Sequence, residues 1–268
     1  MGSGVNHERA KRIEKLRTGA ALDVLVVGGG ITGVGIALDL AARGLSALVI
    51  DKGDWGGATS SSSSRLVHGG LRYLEHFEFS LVRDSCLERA LLLKNAAGFV
   101  WPEEFHFPVM RGDRVGAAKL MAGLWLYTAL ATPRALGLPT RRSAAALEQR
   151  IPGIDRARLK GGGSYTDAAT DDSRLTLAIR QTAERAGATC LSRVEAISIV
   201  DQVTGPVARL HDLETGDKFE LQPKAVVLAG GPSTDALRAL CTFQSGPPSQ
   251  AGEAPWTTPT RGSHIVVP

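Results

Sequence analysis

Six consecutive residues, Gly28-Gly29-Gly30-Ile31-Thr32-Gly33, constrain this chain more than any other stretch. They fit the spacing G-x-G-x-x-G and stand between two segments of different character. Residues 23–27 (DVLVV) form a short apolar run, which predicts a buried strand. Residues 31–43 (ITGVGIALDLAAR) are small and apolar at helical spacing, and Gly44 stands where a helix commonly stops. Residues 47–50 (ALVI) predict a second buried strand, parallel to the first through a right-handed crossover.

Glycines between a strand and a helix suit a dinucleotide pyrophosphate. Gly28 allows the tight turn, Gly30 lets phosphate approach the backbone, and Gly33 lets helix and strand pack closely. The helix N-terminus adds unpaired N–H donors and a partial positive charge. Asp51 ends the second strand about 20 residues beyond the glycines, where an acid can bind ribose hydroxyls. An acid there disfavours a 2′-phosphate and so argues against NADP; this unit does not separate FAD from NAD.

Further along, residues 53–64 are too rich in Gly and Ser for a regular element. Helices are expected over residues 79–97, with Leu81, Leu87, Leu91 and Leu92 on one side, over 115–131, and over 172–186. Strands are expected at 194–200, 207–213, 218–221 and 225–228, the middle pair joined by the turn Thr215-Gly216-Asp217. Ser233 is expected to cap a helix through Leu240. The Pro-rich residues 242–260 read as a loop, and residues 263–267 (SHIVV) as a last strand. A chain that stops on an apolar strand just after a loop reads as truncated.

Composition narrows the class. The 268 residues are 43% hydrophobic and 22% charged, ordinary for a globular protein with a real core. Lys and Arg exceed Asp and Glu by 31 − 27 = 4, with no block dense enough for nucleic acid. Cys86, Cys190 and Cys241 are far apart and form no metal-type pair, which reads as reduced structural thiols in a cytoplasmic setting. Asp167, Asp171 and Asp172, taken with Arg174, give no closed ligand set, so no metal is expected; capping and an Asp–Arg pair explain them.

The segment behind the second strand, Ala58-Thr59-Ser60-Ser61-Ser62-Ser63-Ser64-Arg65-Leu66-Val67-His68-Gly69-Gly70-Leu71-Arg72-Tyr73-Leu74-Glu75, offers hydroxyl donors and then a His, an Arg and a Tyr around a glycine pair. It resembles the signature segment of the FAD-dependent glycerol-3-phosphate dehydrogenases, within the wider D-amino-acid-oxidase-like oxidoreductases. Residues 123–127 (GLWLY), 165–175 (YTDAATDDSRL), 226–237 (VVLAGGPSTDAL) and 261–268 (RGSHIVVP) also resemble stretches of that family. The resemblance covers residues 23–268, the N-terminal portion of such a protein.

The resemblance implies an α/β fold: a Rossmann-type FAD-binding domain with interleaved α+β substrate-domain segments. A helical extension over residues 1–20 precedes it. FAD-binding segments fall at about 21–75 and 160–240, substrate-domain segments at about 76–159 and 261–268. Carried over by position, Gly28, Gly30, Ile31, Thr32 and Gly33 would hold the pyrophosphate, and Asp51, where the family more often has Glu, the ribose. Thr59, Ser60, Ser64, Arg65 and Leu66 would approach the flavin, Arg65 standing where Lys is common. Val194 would contact the adenine side through its backbone, and Ala229 and Gly230 would pack against the cofactor again. His68, Arg72 and Tyr73 would face the substrate: His68 as base or proton relay, Arg72 on a phosphate, Tyr73 bonding substrate or orienting His68.

The implied activity is oxidation of sn-glycerol 3-phosphate to dihydroxyacetone phosphate, with electrons passed to a quinone or similar acceptor. The implied setting is cytoplasmic, peripheral on the inner face of the cytoplasmic membrane, and open to a homodimer. Two other readings remain: an amine or amino-acid oxidase on the same flavin fold, and a non-catalytic FAD-binding fragment.

Overall fold

A computed structural model describes residues 2–243, 255–258 and 262. Its helices are α1 (Gly2–Arg17), α2 (Ile31–Ala42), α3 (Phe79–Asn95), α4 (Ala117–Ala131), α5 (Ala144–Arg150), α6 (Asp172–Arg185) and α7 (Thr234–Arg238). Its strands are β1 (Val24–Val27), β2 (Ala47–Asp51), β3 (Leu66–Val67), β4 (Val100–Met110), β5 (Thr140–Arg142), β6 (Leu159–Thr170), β7 (Thr189–Ser192), β8 (Val194–Gln202), β9 (Gly205–Asp212), β10 (Lys218–Leu221), β11 (Ala225–Leu228) and β12 (Cys241–Phe243). The chain divides into two compact units, Met1–Ser64 with Asp172–Pro268, and Arg65–Asp171.

The first unit is built on a parallel sheet in the order β11-β1-β2-β7. The expected β-α-β unit is there, with Val24 to Val27 pairing in register with Ala47 to Ile50. Its strands are buried on both faces, as parallel strands are. Leu25, Val27, Leu48 and Ile50 face a second sheet, β10-β9-β8-β12, and pack on Val194, Ile199, Leu210 and Phe219. Val26 and Val49 point the other way, onto Ala37, Ala41 and Ala183 of α2 and α6. The turn after β9 leads into the antiparallel strand β10, as its Thr-Gly-Asp sequence predicts.

Ser233 does not cap a helix. The chain enters α7 through a 3-10 turn, Gly231–Ser233; the Ser233 side chain makes no capping bond, and Thr234 Oγ1 donates to the Gly231 carbonyl instead. The helix stops at Arg238. Residues 53–64 are irregular apart from a 3-10 turn at Thr59–Ser61. The expected last strand, residues 263–267, lies outside the described residues.

The second unit is the sheet β3-β6-β4, with β5 also on β6, covered by helices. Its two long strands carry no alternating pattern, which hides them in the sequence. Pro102 and Pro108 lie in β4, at a sheet edge where a missing N–H is tolerated. Gly162 and Gly163 lie in β6: a Cβ at Gly162 would overlap the Phe107 carbonyl, and one at Gly163 would stand 2.9 Å from Met121 Sδ. Helix α3 buries Val82, Cys86 and Arg89, while Leu81 and Leu91 are exposed. The buried face is thus the i, i+4, i+7 stripe that meets Tyr127. Residues 65–75 and 160–171 belong to this unit because β3 pairs with β6, whereas sequence grouped them with the dinucleotide-binding segments. No helix among the described residues is long and apolar enough to cross a membrane.

Candidate functional site

In the first unit the glycine turn is locked by backbone approach. Gly28 has φ +121°, and its N–H donates to the Ile50 carbonyl at 2.9 Å. A Cβ at Gly28 would overlap the Ala229 carbonyl oxygen, and one at Gly33 would overlap the Gly28 carbonyl oxygen. Ala229 itself is tied in, its N–H donating to the Val27 carbonyl at 2.8 Å. Gly230 follows under Leu237, whose Cδ1 stands 2.5 Å from where a Cβ would be.

Helix α2 begins at Gly30, and Val34 N–H is the amide that returns to the Gly30 carbonyl. The amides of Ile31, Thr32 and Gly33 precede that bond, so the helix offers them outward. Ile31 N–H is met by Ser60 Oγ at 2.9 Å, which brings the 3-10 turn of Thr59 and Ser60 to the helix end. A Cβ at Gly30 would meet Ser60 Oγ alone among the described residues, at 3.2 Å. Ser64 is exposed.

Asp51 ends β2 with both carboxylate oxygens in use. Oδ2 accepts from Gly29 N–H at 2.6 Å, and Oδ1 accepts from Gly53 N–H at 2.7 Å. The acid therefore braces the glycine turn. Each oxygen has a second lone pair for a ribose hydroxyl. Val194 begins β8 with its side chain 1% exposed in the core, so only its backbone can face a ligand. These residues fit a dinucleotide: small residues where phosphate must approach, outward amides at a helix start, and a braced acid past the second strand.

In the second unit, β3 delivers the chain to His68-Gly69-Gly70 and the 3-10 turn Leu71–His76. Arg65 has φ +56° and, like Leu66, is exposed. His68 and Arg72 are exposed as well. Gly70 N–H donates to His68 Nδ1 at 2.9 Å. A neutral imidazole whose Nδ1 accepts carries its proton on Nε2, so His68 presents a donor outward. Tyr73 is half-buried among Leu71, Leu74 and the α3–α4 cluster. Its ring lies over Gly70, which has φ +75° and where a Cβ would overlap that ring. Tyr73 thus shapes the turn by packing.

Beneath the turn lies a buried polar network that sequence reading missed. Gly69 N–H donates to the Tyr127 hydroxyl at 2.8 Å, and that hydroxyl donates to Asp167 Oδ2 at 2.7 Å. Arg89 Nη1 donates to Asp167 Oδ1 at 2.8 Å and to the Tyr127 oxygen at 3.2 Å; Nη2 donates to the Arg134 carbonyl at 2.8 Å. Arg89 and Asp167 are 1% and 0% exposed. Burial, and then the charge of Asp167, hold the Tyr127 phenol far above its usual range. Burial alone would lower the Arg89 pKa, but the bond to Asp167 wins and raises it. The buried Asp–Arg pair is Asp167 with Arg89, a partner the sequence reading did not name, and Asp172 accepts from Ser63 Oγ at 2.6 Å. No three His, Cys, Asp or Glu side chains converge on a metal position among the described residues.

The family described as FAD dependent oxidoreductase matches residues 23–268. The aerobic glycerol-3-phosphate dehydrogenase of Escherichia coli (strain K12) is 38% identical over 248 residues, 92% of this chain and 46% of that protein. The glycerol-3-phosphate dehydrogenase of Mycobacterium leprae (strain TN) is 36% identical over 97% of this chain and 43% of its own length. The crystal structure of the glycerol-3-phosphate dehydrogenase from Bacillus halodurans complexed with FAD superposes with a TM-score of 0.66 at 30% identity, over 87% of this chain and 38% of that one. The chain thus spans under half the length of these relatives.

Proposed function

The chain belongs to the FAD-dependent oxidoreductase family, and on that premise we propose that it takes part in oxidising sn-glycerol 3-phosphate to dihydroxyacetone phosphate. The observation that carries this reading is the turn His68-Gly69-Gly70-Leu71-Arg72-Tyr73, which leaves an imidazole and a guanidinium exposed while its backbone is tied down at Gly69. The substrate would lose its carbinol hydrogen as hydride and its hydroxyl hydrogen as a proton. FAD, when bound, supplies the acceptor for the hydride.

The chain's own residues do the rest. Gly28, Gly30, Ile31, Thr32 and Gly33 would cradle the pyrophosphate and Asp51 the ribose, with Val194, Ala229 and Gly230 along the same cofactor. Thr59, Ser60, Ser64, Arg65 and Leu66 would line the flavin side. Arg72 would bind the substrate phosphate through paired N–H donors. His68 would donate from Nε2 to the substrate oxygen; to take up the hydroxyl proton it must give up the Gly70 bond at Nδ1 or turn its ring. Tyr73 would hold the turn. Electrons would pass on to a quinone or similar acceptor, with the protein peripheral at the inner face of the membrane; the resemblance supports this part.

The test is anaerobic. The FAD-loaded chain is mixed with glycerol 3-phosphate, and separately with glycine or sarcosine, while the flavin absorption is followed. Bleaching by glycerol 3-phosphate alone supports the proposal. Bleaching by the amines would make this an amine oxidase, and bound flavin that stays oxidised with all three would leave a non-catalytic FAD-binding chain.

A further inference from the structure

Helix α1 precedes the dinucleotide fold in sequence yet reaches both sides of Asp51. On one side Arg9 grips Asp212 with two bonds, Nη1 to Oδ2 at 2.6 Å and Nη2 to Oδ1 at 2.9 Å. The same Nη2 donates to the Ser192 carbonyl at 3.1 Å. Asp212 is 2% exposed and Arg9 14%, so this pair is largely removed from water. Ser192 is the β7 partner of Asp51, and Asp212 is the β9 partner of Val194. Arg9 therefore pins residues 192 and 212 around the corner at Arg193, whose φ is +57°.

On the other side Arg12 Nη1 donates to Glu184 Oε1 at 2.8 Å, and Arg180 Nη1 donates to Glu184 Oε2 at 3.0 Å. The Arg180 guanidinium lies over the Trp55 ring, 5.7 Å from its centroid. Trp55 in turn closes on Gly29: a Cβ there would stand 2.6 Å from Trp55 Cε3 and 2.8 Å from Asp51 Cβ. Gly29 is the residue whose amide braces Asp51.

Ligands of open α/β sheets bind beyond the carboxyl ends of the strands, and an acid ending the second strand takes the ribose. The walls next to that ribose are the corner after β7 and the turn carrying Trp55. Both are held from outside the sheet by one helix. We propose that α1 is a positioning element for the adenosine half of the dinucleotide, with Arg9 and Arg12 as its two attachment points. The proposal rests on the FAD reading of this cradle.

The test measures binding, not turnover. FAD affinity of the full chain is measured by quenching of flavin fluorescence, and ADP affinity by calorimetry, for the native chain, the double variant Arg9→Ala/Arg12→Ala, and a control, Arg43→Ala, which removes an exposed pair with Asp39. The double variant should raise both dissociation constants by the same factor, about tenfold or 1.4 kcal/mol. Its far-ultraviolet circular dichroism should stay native, and the control should change neither constant. Unchanged FAD affinity in a folded double variant overturns the proposal, as does a loss for FAD not matched for ADP. If the double variant does not fold, Arg9→Lys decides: it keeps charge toward Asp212 and loses the shared bond to Ser192, so native affinities for both ligands overturn the proposal and a matched partial loss upholds it. A native chain that binds neither ligand overturns the FAD reading, and the proposal with it, before any variant is made.

Discussion

The amide of Gly69 donates to the hydroxyl of Tyr127 at 2.8 Å, and this one bond fastens an exposed turn to a buried charge pair. Tyr127 can accept from Gly69 because it gives its own proton to Asp167. Asp167 Oδ1 in turn accepts from Arg89 Nη1 at 2.8 Å. The position of His68 thus depends on buried residues beneath the turn.

Tyr127→Phe keeps the ring and removes the oxygen. It strands the Gly69 N–H and one Asp167 oxygen in a buried place, at a cost of about 1–3 kcal/mol. Urea unfolding followed by tryptophan fluorescence should show that loss. A variant as stable as the native chain would contradict the network.

Arg89→Met should cost more, about 3–5 kcal/mol, because it leaves Asp167 charged and buried without a cation. Adding Asp167→Leu should recover part of that loss, since the uncompensated charge is then gone. Additive losses in denaturant melts of the two single variants and the double variant would show the pair is uncoupled.

Two glycines two positions apart in chain order separate packing from propensity. Gly33→Ala drives a Cβ into the Gly28 carbonyl, so it should abolish FAD binding and destabilise the chain. Gly35→Ala, in the same helix α2, meets nothing within 4 Å and should stabilise by up to about 1 kcal/mol. Thermal melts and FAD titration distinguish the two outcomes.

His68→Gln tests which role the imidazole plays. Glutamine can donate to a substrate oxygen and cannot take a proton. A donor role predicts that His68→Gln keeps well above the activity of His68→Ala; a base role predicts the two fall together, by about 100-fold or more. Nitrogen-15 spectra of the native chain should show the proton on Nε2, as the Gly70 bond to Nδ1 requires.

The Arg9–Asp212 pair sets a pH dependence. Burial works to raise the Asp212 pKa, but the Arg9 bonds and the Glu214 amide hold it below its ordinary 3.8. A carboxylate depressed on folding binds fewer protons than in the unfolded chain. Its stabilisation is therefore present in full above the unfolded value near 3.8 and is lost as pH falls through the folded one. Stability of the native chain and of Arg9→Ala, compared by denaturant melts from pH 7 to pH 3, should differ most at the upper end and converge as the acid protonates.

What the sequence determined by itself is the β-α-β unit with Gly28, Gly33 and Asp51, the helices α2, α3, α4 and α6, and the meander from β8 to β10. Each is written within a short window, where strand and helix periods, glycine spacing and a terminal acid can be read directly. The strands β4 and β6 escaped because prolines at a sheet edge and glycines under a helix replace alternation. The face of α3, the partner of Asp167 and the reach of α1 were decided by tertiary structure alone. Tyr127 and Asp167 are 40 residues apart, Arg89 and Asp167 are 78, and Arg9 and Asp212 are 203. A polar group so placed is stable only when its partner arrives from a distant segment and water is excluded from both, and that condition is met by packing, which no local pattern records.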